Sequence, residues 1–372
     1  MTDYQALDAN NQAEPRRSPS PTRTGEGGRS GKIIACWRDG VKRVNHAPAI
    51  LFGVFALTIL MALPLGLVVR GMIAEHLGNS LAADTAAQGV NYDWWNEFMQ
   101  QSSGLGSTFV PSIIGFAAPL RDLSDLADNA PMATTMAGAV TAFLLLWAFL
   151  TGGILDRYAR GRTLHTSGFF AACGVFFFRF LRLGAIAFVA YALLFGYVHG
   201  WLLDAAYDRW THDLNVERQA FFVRVLLYLV FAGLLAAVNL VVDYAKVRAV
   251  VEDRRSMVGA LAASARFIAR HARATVALYL LNTFMFAVIL LVYRIVAPDG
   301  GWRGAAVWVA FAIGELYVLA RVWAKLVFLA SETSLFQTRL AHAGYASFPE
   351  PRPTDPPIVN ALGAPPLAPP QP

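Results

Sequence analysis

Charge is scarce in this sequence: Asp, Glu, Lys and Arg make up 15% of its 372 residues. A soluble globular domain carries roughly a quarter, so an ordinary water-facing surface is excluded for most of the chain. Cysteine is nearly absent. Cys36 lies in a polar N-terminal region and Cys173 in an apolar run, and there is no third. That excludes a disulfide framework and a CxxC metal site, and Cys36 reads as an incidental thiol. The seven histidines are scattered, so no three-histidine zinc set can be assembled. No cofactor motif is legible. The nearest lure, around Gly31-Lys32, has Glu26 where a P-loop needs its first glycine and Ile33 where it needs a hydroxyl.

Apolar sequence is what the chain has in abundance, at 56% hydrophobic residues. A hydrocarbon layer about 30 Å thick takes roughly 20 helical residues to cross. Six runs meet that length: 49–69, 133–155, 183–203, 219–241, 275–297 and 304–330. Backbone groups stay paired in lipid only inside helices or closed barrels. The expected fold is therefore all-α, a polytopic bundle of about six transmembrane helices. Pro64 is expected to kink the first span. The apolar, aromatic stretch 169–181 precedes the third, and carries Arg179 with Arg182 just beyond. It reads as an interfacial helix with both arginines at headgroup level. Thr134, Gly138 and Ala142 recur at four-residue spacing and suggest close helix approach in the second span. Gly152-Gly153 is expected to loosen its end.

Orientation follows from where the cations lie. Segments 1–48, 156–182, 242–274 and 331–372 hold 22 Lys and Arg, whereas 70–132, 204–218 and 298–303 hold 5. The positive-inside rule places both termini in the cytoplasm. It also accounts for the net charge of +6 without nucleic acid. Residues 1–47 and 347–372 read as disordered tails. The second has ten prolines in 26 residues. The transmembrane domain is 48–346. Its long outer loop, 70–132, includes the aromatic stretch 92–99 and a short apolar run at 109–116, together read as a packing lid.

Chemistry has few places to sit. Glu315 lies about 11 residues into the last span, roughly 16 Å deep. A carboxylate there is costly and calls for a partner. Arg224 and Tyr228 in the fourth span have compatible depth. Asp204, Asp208 and His212 repeat every four residues, so they would share one helix face, a weak set for a metal or for acid–base work. Arg266, Arg270 and Arg273 form a basic surface beside apolar residues. With Arg179 and Arg182 it suits anionic phospholipid headgroups at the inner leaflet. Within 243–256, Asp243 can pair with Lys246, and Glu252 with Arg255.

That last segment, Asp243-Tyr244-Ala245-Lys246-Val247-Arg248 through Glu252-Asp253-Arg254, resembles a stretch that follows a span in uncharacterised bacterial six-span proteins. These are similar to the membrane domain found beside some glycerophosphodiester phosphodiesterases. The aromatic run Phe176-Phe177-Phe178-Arg179-Phe180 adds to the likeness, which covers roughly residues 130–340. The resemblance implies a bacterial plasma-membrane protein of no established catalytic role. The expected role is a non-enzymatic scaffold or accessory subunit. The alternatives are a small transporter using Glu315 and a lipid-modifying enzyme using Asp204, Asp208 and His212.

Overall fold

Long apolar runs in lipid leave helix as the economical way to pair every backbone group, and helices are what the computed structural model contains. It describes residues 29–78, 80–86, 89, 91–109, 117–131, 134–161, 165–298, 302 and 304–340. Among these no strand occurs. Six helices are long and apolar enough to cross a membrane. They are α2 (Pro48–Leu77), α5 (Thr134–Arg160), α6 (Thr166–Thr211), α7 (Glu217–Val251), α8 (Met257–Val296) and α9 (Ala306–Arg339). Before them comes α1 (Arg29–Asn45). Between α2 and α5 lie α3 (Tyr92–Gln101) and α4 (Ala117–Ala127).

The expected six-span all-α bundle is the observed one. The stretch before the third span is helical and continuous with it, inside α6. α2 runs through Pro64 unbroken. Near its far end, α6 widens into two π-helical stretches, Leu194–Val198 and Trp201–Ala206. α8 bends at His271, whose φ and ψ of −122° and 25° leave the helical region.

The expected disordered tail at 1–47 needs correction. Residues 29–45 form a helix, and its packing face explains why. Cys36, Gly40, Val44 and then Ala47 are buried, with Ile33, Trp37 and Val41 partly so. These positions recur at three- and four-residue steps, the stripe of an amphipathic helix. The face lies along α9. Gly40 makes the approach possible: a Cβ there would stand 2.7 Å from the Ser331 backbone nitrogen. Cys36 is thus a core residue, 3.6 Å from the Thr338 hydroxyl.

α7, α8 and α9 have 35, 40 and 34 residues. At 1.5 Å per residue each is roughly 50 to 60 Å long, well beyond the ~30 Å of hydrocarbon. Burial is concentrated where they overrun. The main core gathers Leu150 to Tyr158 of α5, Phe176 to Leu183 of α6 and Leu240 to Val251 of α7. It continues with Met257 to Leu278 of α8 and Leu326 to Phe336 of α9. This end of the bundle, closed by α1, is called the base here. In the most apolar window of α9 no residue is buried, and in that of α2 only 6% are.

Candidate functional site

The base is held by hydrogen bonds that cross between helices. Arg43 of α1 donates to the Tyr158 carbonyl at 2.7 Å and to Gln337 Oε1 at 2.9 Å. Gln337 in turn donates to the Ala159 carbonyl at 2.9 Å. One arginine and one glutamine therefore join α1, α5 and α9. Trp323 donates to Asn45 at 3.0 Å. The close contact of α5 with α6 runs through Gly152 and Gly153. A Cβ on the first would sit 2.9 Å from Phe176 Cβ, and on the second 2.6 Å from Cys173 Sγ. This glycine pair, expected to loosen the helix, is instead where two helices touch. At Gly138, expected to be such a contact, a Cβ would meet nothing within 4 Å.

Polar side chains cluster inside the base. On α7, Asp243 accepts from Lys246 at 2.8 Å, the pair expected from their spacing. Tyr244 beside them is fully buried. On α8, buried Asn282 donates to Ser331 of α9 at 2.9 Å. The next residue, Glu332, is 1% exposed, and neither of its carboxylate oxygens has a hydrogen-bond partner. The Tyr244 hydroxyl and the Asn282 carbonyl oxygen are also buried without partners. Sequence reasoning missed Glu332 because it lies two residues past the expected end of the last span. The run Ala330-Ser331-Glu332-Thr333-Ser334 reads there as a solvated helix end. Burial of all five reverses that reading.

The residues singled out in the sequence fall in several places. Glu315 is half-buried on α9, and its Oε2 is enclosed without a partner. The expected pairing with Arg224 and Tyr228 is not made. Tyr228 donates instead to Asp128 at 2.5 Å. The Arg224 guanidinium lies 5.0 Å from the centre of the Tyr207 ring. These contacts belong to a latch holding the segment after α4 on α6 and α7. Asn129 donates to the Phe195 carbonyl, and His199 donates to the Ala127 carbonyl, from within the π-widened stretch. At the far end of α2, Trp94 of α3 donates to His76 at 3.0 Å, and Phe98 packs edge-on to the same ring. The aromatic part of the long loop thus behaves as a lid packed on the bundle; 110–116 lies outside the described residues.

Asp204, Asp208 and His212 are all exposed, and the π-helical turns break the four-residue register assumed for them. His212 faces Asp213 at 3.0 Å. Among the described residues no three His, Cys, Asp or Glu gather as a metal ion would require.

The basic residues divide. Arg179 leaves the lipid-facing group: it pairs with Asp253 at 2.5 Å and lies over the Phe176 ring. Asp253 sits at φ 49° in the turn after α7, which aims its carboxylate at α6. Glu252 pairs with Arg248 and Arg254 rather than with Arg255. Arg182, Arg266, Arg270 and Arg273 remain exposed. Arg266 and Arg270 lie one turn apart on α8 and Arg273 follows the bend at His271, all just before the apolar half of that helix. The buried segment from Asp243 to Val251 is the one that carried the family resemblance, so that pattern is a core pattern.

No family model, curated protein or solved structure matches the chain.

Proposed function

We propose that this protein is a multi-pass scaffold or accessory subunit of a bacterial plasma membrane. It carries no catalytic centre of its own, and the base faces the cytoplasm. One observation supports this most directly. Polar groups of the base are consumed in structure: Arg43, Gln337 and Arg179 join helices, and Asp243 and Lys246 pair within α7. What the base offers outward is cationic. Arg266, Arg270 and Arg273 stand where α8 passes into its apolar half, suited to an anionic headgroup layer. Each such charge contributes about 1 kcal/mol near an anionic surface.

Two experiments test this reading. Reporter fusions at Arg162, Arg255 and the C-terminus should read cytoplasmic, and fusions near Gln101 and Asp213 external. The opposite signs would refute the orientation. Replacing Arg266, Arg270 and Arg273 together by Gln should lower retention on vesicles containing anionic phospholipid and leave neutral vesicles unaffected. Equal retention on both would remove the headgroup role.

A transport role is the second reading, and Glu315 favours it. A carboxylate oxygen enclosed without a partner in the apolar half of α9 is costly, and such groups often mark ion or substrate paths. Under that reading, Glu315→Gln folds normally and loses the cellular function. Under the scaffold reading it folds and keeps it.

A further inference from the structure

We propose that the centre of the base binds a small monovalent cation, held by Glu332, Tyr244 and Asn282 as a clamp between α7, α8 and α9. Four oxygen atoms carry the argument: both carboxylate oxygens of Glu332, the Tyr244 hydroxyl and the Asn282 carbonyl oxygen. All are buried and none has a hydrogen-bond partner. The three residues are between 0 and 1% exposed. Leaving one such group unsatisfied costs free energy, and a lone buried carboxylate costs most.

Placement ties them together. Asn282 is bonded to Ser331, the chain neighbour of Glu332. Tyr244 lies within electrostatic reach of Glu332. The charged groups that act on Glu332 are Asp243 and Lys246. They pair with each other at 2.8 Å. No hydrogen bond supplies a counter-charge to Glu332, so an ionised carboxylate there would take its compensation from a bound cation. The donors are hard oxygens with no thiolate or imidazole among them, a set suited to alkali or other hard cations rather than to transition metals. One carboxylate matches one positive charge. Such an ion would join three helices where Gly40 also brings α1 against Ser331.

The test is the thermal melting of the purified full-length protein in detergent, titrated with NaCl or KCl while choline chloride keeps ionic strength constant. Sodium or potassium should raise the melting temperature by several degrees, with a saturating dependence. Glu332→Gln should abolish the response. Tyr244→Phe, which keeps the ring and removes one donor, should move the midpoint to severalfold higher salt. Arg121→Ala, at the exposed far end, should leave the response intact. Identical melting in choline and alkali chlorides would overturn the proposal. So would an undiminished response in Tyr244→Phe, the arm that remains if Glu332→Gln does not fold. Stability that changes with pH but not with alkali cation would assign a proton to Glu332 and overturn it equally.

Discussion

The base and the far end of this bundle are built by different rules. In the base, helices meet through glycine contacts, buried aromatics and polar bonds, much like the interior of a soluble protein. Phe336 is fully buried there, with Phe267 at 5.1 Å and the Arg248 guanidinium at 5.3 Å from its ring. At the far end, equally apolar residues face outward: Phe284, Leu291, Ile295, Trp308 and Phe311 are all exposed. Lipid is as apolar as these side chains, so no hydrophobic force draws them inward. The difference teaches that hydrophobicity located the spans, whereas packing located the core, and the two are offset along the helices.

The contrast is sharpest for large side chains. Phe336→Ala should destabilise by about 3–5 kcal/mol, the cost of an aromatic cavity in a packed core. Phe311→Ala should fall within about 0.5 kcal/mol, as surface substitutions do. Thermal unfolding in detergent compares the two directly. Equal losses would erase the distinction between base and far end.

Glycines give the next test. Gly40→Ala and Gly152→Ala force a Cβ to 2.7 Å from Ser331 and 2.9 Å from Phe176. Each should cost about 1–3 kcal/mol through overpacking. Gly138→Ala enters open space and should stabilise its helix by up to about 1 kcal/mol, from propensity alone. A destabilising Gly138→Ala would mean that a partner helix covers that face in the membrane.

Ion pairs should follow the same order. The Arg179–Asp253 side chains are 14% and 38% exposed, whereas those of Arg121–Asp125 at the far end are 47% and 51% exposed. Arg179→Ala should therefore cost between the ~1 kcal/mol ceiling of exposed pairs and the roughly 3–5 kcal/mol of a broken buried pair. Arg121→Ala should be hard to detect. Limited proteolysis of the turn after α7 offers a second readout, because Asp253 there is held by Arg179.

Smallest of all should be Glu315→Gln, whose Oε2 has no bond to lose. Melting within about 0.5 kcal/mol of wild type is expected. A loss beyond 1 kcal/mol would reveal a partner that the membrane supplies. Removal of 347–372 should be equally silent, since a segment with ten prolines in 26 residues cannot bury a core.

Much of this architecture was legible before any coordinates. Span number and helical class follow from run length, because bilayer thickness and backbone pairing leave few alternatives. The Asp243–Lys246 pair follows from helical spacing. The stripe through Ile33, Cys36, Gly40 and Val44 was also in plain view. It is hard to read there because arginine, serine and glycine dominate the residues before it and obscure the periodicity. The candidate site was less legible. Glu315 stood out because it interrupts an apolar run. Glu332, with neighbours as polar as itself, did not.

Local sequence determined where helices form and which of them enter lipid, since both depend on properties that neighbours along the chain share. Only tertiary structure decided which polar groups are enclosed and which touch. The buried polar run around Glu332 is bonded by Asn282 of α8 and approached at Ser331 by Gly40 of α1, from nearly 300 residues away. A carboxylate has the same side chain in water and in a core. Its consequence depends on what surrounds it, and no window along the chain contains that information.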